Sequence, residues 1–187
     1  MTELTEQDAA LKNAQKQIQA GNFAAASDIA KGVLATQPAH KNALYIAAVC
    51  ARYEGRHADA AAHLAELMTV APDYGRAHQE EGHLKRAQGD RAGALRAYER
   101  ATRFNPALIA SWTRQAELQA IAGNPQAAAN ARAQAERMSA LPRELLAVTN
   151  HVHEGRIFRG EEIARAFLRQ HPTHVEAMRL LADIGSR

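Results

Sequence analysis

The chain has 187 residues, 47% of them hydrophobic but only 5% aromatic, with a net charge of +3 and nine histidines counted neutral. Alanine dominates and long β-branched runs are missing, so the composition points to an all-α protein. Few aromatics and interspersed charges argue against nucleic-acid binding. The single cysteine, Cys50, excludes an internal disulfide framework.

The chain opens acidic and polar from Met1 to Asp8, unlike a signal peptide. No apolar run approaches the roughly 20 residues of a membrane span, so the expected location is cytoplasmic. A periodic pattern then begins. Gly21, Gly55, Gly89 and Gly123 follow one another at 34 residues, and Pro38, Pro72 and Pro106 each lie 17 residues after a glycine. Each unit is expected to be two antiparallel helices. The glycine ends helix A in a left-handed turn, and the proline ends helix B because it cannot continue the ladder. Asn124 and Pro125 mark the start of one helix B as cap and first-turn proline. Small residues recur where helix backbones should meet: Ala14, Ala48, Gly82 and Ala116 in helix A, Ala26, Ala60, Ala94 and Ala128 in helix B. One such hairpin cannot cover its own faces, so neighbours must stack.

A fifth block runs from Gly155 to Pro172 and arrives two residues early, 32 after Gly123. Its helix A, in the stretch from Leu141 to Glu154, fits the register poorly, and Gly160 replaces the alanine of helix B. The expected organisation is units one to four over residues 1–140. Residues 141–187 then form a degenerate fifth unit and helix A of a sixth, continuous with the same array. Thr173 and Glu176 read as a capping box opening that last helix.

No phosphate-binding, nucleophile-elbow or zinc-protease motif is present, so no catalytic, cofactor or metal residue is assigned. The histidines lack the i, i+4 spacing of a helical zinc pair and read as solvated surface groups. Arg96, Arg100 and Arg103 line one side of a helix B beside Glu99 and read as a solvated outer face. Cys50, between Val49 and Ala51, reads as a packed thiol.

This 34-residue helix-turn-helix period resembles the tetratricopeptide repeat, whose pattern is Trp-x2-Leu-Gly-x2-Tyr, then Ala-x3-Phe, then Pro. Unit three supplies Gly82, Ala94, Tyr98 and Pro106; unit four supplies Trp112, Ala116 and Ala128; unit two supplies Leu44, Ala47, Ala48, Ala60, Leu64 and Pro72. Departures are His78 at the Trp position, Glu81 and Gln115 at the Leu position, and Arg132 at the aromatic position. The resemblance implies an all-α, right-handed α-solenoid of about five repeats plus a terminal helix. It also implies a concave groove lined by helix A. Carried onto this chain, the groove residues are Tyr45, Arg52, Arg76, Gln79, His83, Arg86, Thr113 and Glu117. The arginines and His83 would suit an acidic peptide, since arginine receives carboxylate in a bidentate fork. The family's carboxylate clamp for chaperone tails is not matched: its positions carry Leu11, Gln15, Ile46, Arg76 and Glu80, of which Arg76 alone has a compatible charge.

The resemblance thus implies a protein-interaction module that binds a peptide or partner protein, with no nucleic acid, membrane or cofactor. A second reading is the non-catalytic N-terminal region of a larger enzyme, since the last blocks look similar to those of bacterial repeat proteins joined to a PAPS-dependent sulfotransferase. A third is a self-assembling structural subunit, a homodimer through the C-terminal helix. In that helix Val175, Met178 and Ala182 are expected to lie against unit five. Leu180 and Ile184 are expected to be left uncovered, as a self-association face or the face of a truncated repeat.

Overall fold

The structure, a computed structural model, describes residues 2–186, with side chains from residue 6 onward. Its described elements are eleven α-helices. They are α1 (Thr2–Gln19), α2 (Phe23–Thr36), α3 (Lys41–Tyr53), α4 (His57–Val70), α5 (Gly75–Ala87), α6 (Arg91–Phe104), α7 (Ile109–Ile121), α8 (Pro125–Ser139), α9 (Arg143–His153), α10 (Ile157–Gln170) and α11 (Val175–Gly185). The odd helices are helix A of each repeat and the even ones helix B.

The glycine turns form as the spacing predicts. Gly21, Gly55, Gly89, Gly123 and Gly155 have φ between 75° and 81°, where a side chain would be strained. After α3, the Gly55 N–H donates to the Arg52 carbonyl at 3.1 Å and the Arg56 N–H to the Ala51 carbonyl at 2.8 Å. That pair of bonds satisfies carbonyls the helix end would otherwise leave bare. Asn124 stands before Pro125 as expected, but its side chain donates to Gln119 Oε1 at 3.0 Å instead of capping α8.

Every small position predicted from the repeat is buried: Ala14, Ala48, Gly82 and Ala116 on one side, Ala26, Ala60, Ala94 and Ala128 on the other. At Gly82 and Gly160, which stand in such small places, a neighbour lies too close for a Cβ. A Cβ on Gly82 would lie 2.5 Å from Cε1 of Tyr98, and one on Gly160 would lie 2.9 Å from Cγ2 of Val152. Gln115, at a position the repeat reserves for Leu, is buried because its amide donates to the Tyr98 carbonyl at 3.0 Å and to Thr102 Oγ1 at 2.8 Å.

The chain divides into two compact units, and the division falls within α5. One comprises residues 1–73 and 83–89; its core joins Leu11 and Ala14 of α1, Ala26, Ala30 and Val33 of α2, and Ala43, Ile46, Ala47 and Cys50 of α3. Cys50 is fully buried, as its apolar neighbours imply. The other unit comprises residues 74–82 and 90–187. It holds a cluster of Ala94, Tyr98 and Leu118, and a second built from α9, α10 and α11.

The early fifth block has a local cause. Helices α3, α5, α7 and α9 start at residues 41, 75, 109 and 143, all on the 34-residue period. But α9 has 11 residues where α3, α5 and α7 have 13, so the two missing residues are lost at its C-terminal end. Its buried residues Leu145, Val148, Thr149 and Val152 lie 34 residues after Ser111, Arg114, Gln115 and Leu118. The poor fit of this helix therefore disappears once its register is counted from its start.

Candidate functional site

The predicted groove residues divide between the units. In the N-terminal unit Tyr45 is half-buried against the core, and Arg52 holds its guanidinium carbon 4.1 Å from the centroid of the Tyr53 ring. Tyr53 stacks on Phe23, with centroids 4.3 Å apart and planes within 8°. Such a cation–π contact is worth about 0.5–1 kcal/mol at an exposed site and holds the arginine out along the surface. His83 is half-buried and Arg86 exposed in the same unit. In the C-terminal unit Arg76 and Gln79 are half-buried, one helical turn apart on α5. Thr113 and Glu117 are exposed but engaged within α7. The Thr113 hydroxyl donates to the Ile109 carbonyl at 3.2 Å, and Arg114 donates to both Glu117 oxygens at 2.9 and 2.7 Å.

Arg76 has a partner that the repeat register did not anticipate. Its Nε donates to Oε1 of Glu154, the C-cap of α9, while Nη2 of Arg156 donates to Oε2. The Glu154 side chain is 3% exposed, so this is a buried carboxylate held between two arginines. Beside it, Asn105 at the end of α6 donates through Nδ2 to Asn150 Oδ1 at 3.0 Å. The last turn of α9 thus meets the first turn of α5 and the end of α6. Arg156 also donates from Nε to His151 Nδ1 at 2.7 Å; burial, then the Arg156 charge, pushes the His151 imidazole down from its ordinary pKa. A sign of this arrangement was present in the sequence: the triplet Glu-Gly-Arg occurs at residues 54–56 and again at 154–156. In the first copy Arg56 grips Glu54 through Nε at 3.0 Å and Nη2 at 2.5 Å. The carboxylate there remains 27% exposed. The turn alone builds an arginine–carboxylate pair; tertiary structure adds Arg76 to the second copy.

Four expectations are corrected by packing. Not all histidines are solvated: His78 is buried, stacked on Phe104 at 5.2 Å, and accepts from Arg100 Nε at 3.4 Å. His40 and His174 each accept a backbone N–H at 3.3 Å, from Ala43 and Ala177, and so cap α3 and α11. The capping residue of α11 is therefore His174, one place after Thr173. The arginine stripe on α6 is not uniformly solvated either, since Arg100 donates to Glu81 Oε2 at 2.8 Å. Finally, Leu180 and Ile184 are each 8% exposed and pack in the cluster with Leu145, Val148, Val152, Ala164 and Phe167. The face left to solvent carries Val175, 73% exposed, and Met178, 44% exposed. The reason lies in the repeat itself. The third, sixth and tenth residues of helix A turn to the preceding helices, as Ala43, Ile46 and Cys50 do in α3. Ala177, Leu180 and Ile184 occupy those places in α11.

A cleft of about 570 Å³ lies among Pro142, Glu144, Ile163, Phe167, His171 and His174. None of the predicted groove residues lines it. Among the described residues no group of three His, Cys, Asp or Glu side chains could hold a metal ion, and no helix is long and apolar enough to cross a membrane.

Residues 11–74 match a family model described as tetratricopeptide repeat. No curated protein matches the chain. Among solved structures, the thermophilic TPR protein TTC0263 from Thermus thermophilus aligns with a TM-score of 0.61 at 18% identity. The alignment covers 97% of this chain and 100% of that one. A tetratricopeptide repeat protein from Parabacteroides merdae aligns at 0.59 and 15% identity, over 96% of this chain and 72% of that one. MamA 41-end from Desulfovibrio magneticus RS-1 aligns at 0.59 and 16% identity, over 71% and 75%. With the glycine turns and buried small positions, these likenesses define an all-α protein of solenoid-type helical repeats. Residues 11–74 are thus similar to the tetratricopeptide repeat, and the chain as a whole shares the helical-repeat fold of those structures.

Proposed function

We propose that the chain is a protein-interaction module that receives an acidic peptide or partner segment on helix A residues, with Arg52 and Arg86 as principal contacts. The observation that supports this most is the state of those two side chains within one compact unit. Arg52 is held over Tyr53 and Arg86 is exposed, on helices whose opposite faces are consumed by core packing. A guanidinium displayed on a rigid helix loses little freedom when it takes a carboxylate. Tyr45 and His83 in the same unit supply contact area and a further donor. The test is fluorescence anisotropy with a labelled hexa-aspartate peptide. Arg52→Glu combined with Arg86→Glu is expected to weaken binding about tenfold or more, by turning attraction into repulsion. Binding equal to that of the unaltered chain would remove the proposal.

A second reading rests on α11: a second copy of the chain covers the face that carries Val175 and Met178. Ala182 stands there at the place that Gly82 holds in α5, where the following helix packs. Sedimentation equilibrium is expected to show a dimer that Met178→Glu dissociates. A monomer at every concentration would end this reading.

A further inference from the structure

The acidic-partner reading leaves open why Arg76, on the first turn of α5, is already bonded to a carboxylate of the chain itself. Glu154 has the position of a ligand rather than of a surface ion pair. Its carboxylate is almost wholly buried, each oxygen takes a bond from a different arginine, and the second arginine comes from 78 residues away. The first copy of the same triplet shows what the turn does without that addition: Glu54 stays with Arg56 and keeps contact with water. Two arginines thus converge where one negative charge sits, and the Arg156 side chain is itself held by its bond to His151 Nδ1. Without Glu154 the two guanidiniums, each still partly open to solvent, would form an anion site, since arginine donors this close suit a carboxylate. The chain segment that supplies the charge is also the exceptional one. α9 lacks two residues at this end relative to α3, α5 and α7, and the shortened end is what carries Glu154.

We propose that Glu154 is an internal ligand, whose carboxylate fills the site between Arg76 and Arg156 that would receive a carboxylate of an acidic partner segment. Partner and Glu154 compete for the same arginines, so the C-terminal unit takes a partner only when the end of α9 releases Arg76. The inference rests on the acidic-partner reading above, but on different residues, so the two can fail separately.

The experiment uses the full chain and the hexa-aspartate probe at low and physiological salt. Glu154→Gln keeps the shape of the side chain and removes its charge. It is expected to raise probe affinity at least about fivefold, the lower end of ordinary coupling between competing states. Adding Arg76→Gln to that variant is expected to abolish the gain. Hydrogen exchange in the last turn of α9 should quicken in Glu154→Gln without probe and slow again when the probe binds. Unchanged affinity in Glu154→Gln, or a gain that survives Arg76→Gln, overturns the proposal. Wild-type binding that is lost with the Arg52 and Arg86 charge reversals reports on the acidic-partner reading alone. Should Glu154→Gln fail to fold, Glu154→Asp carries the same test: a carboxylate one methylene short should bind Arg76 less well and still raise probe affinity, and no gain there also overturns the proposal.

Discussion

Gly82 lies against the ring of Tyr98 so closely that a single added Cβ would sit 2.5 Å from Cε1 and 2.6 Å from Cδ1. The two residues are 16 apart, and so are Ala48 and Leu64, Ala116 and Arg132, and Ala14 and Ala30. Glycine appears where its partner is an aromatic ring that is fully buried. Gly82→Ala is therefore expected to destabilise by about 1–3 kcal/mol through overpacking, despite the better helix propensity of alanine. Tyr98→Leu in the Gly82→Ala background should cost less than in the wild-type chain. Denaturant unfolding of the four members of the cycle checks the coupling; strict additivity would refute it.

Other glycines predict opposite signs for one substitution. Gly123 has φ of 77°, so Gly123→Ala should cost about 1–2 kcal/mol from the backbone alone. Gly32 is exposed inside α2, and beyond its chain neighbours and its own helix backbone no described heavy atom comes within 4 Å of where its Cβ would be. Gly32→Ala should stabilise by about 0.5–1 kcal/mol. Thermal midpoints of the two variants should move in opposite directions.

The C-terminal helix gives a test of faces. Leu180→Ala and Ile184→Ala each remove a packed side chain from the cluster with Leu145 and Phe167, and each should cost about 2–4 kcal/mol. Met178→Ala, on the face exposed in the single chain, should stay within about 0.5 kcal/mol when measured at concentrations where the chain is monomeric. Equal losses at Met178 and Leu180 would show that both faces are covered in solution.

Glu81 supplies a pH dependence. His78, and after it the Arg100 guanidinium, hold its carboxyl below the ordinary carboxylate value. A folded pKa below the unfolded one gives stability that is complete above the ordinary value, about 4.3, and is lost as pH falls through the folded one. Glu81→Gln should therefore lower the urea midpoint at pH 7, and the difference from wild type should shrink steadily as the solution is acidified below about pH 4. A difference that does not change with pH would mean that Glu81 acts by shape alone.

The 34-residue spacing, the glycine turns and the small positions were all legible because they are local rules. A glycine at positive φ ends a helix whatever surrounds it, and a repeat states its nearest-neighbour contacts again in every copy. The face of α11 was not legible. Its apolar residues Val175, Met178, Leu180, Leu181 and Ile184 span both sides of the helix, so periodicity offers two directions for burial and does not choose between them. The choice came from register against α9 and α10, which put Leu180 and Ile184 inside.

The sequence by itself determined the class of fold, the places of the glycine turns and proline breaks, and the residues that let backbones approach. Tertiary structure alone decided that the Glu154 carboxylate meets Arg76 while that of Glu54, in an identical triplet, stays at the surface. The physical reason is range. Backbone sterics and side-chain volume act within one repeat and its neighbour, whereas an ion pair across 78 residues depends on where a shortened α9 ends.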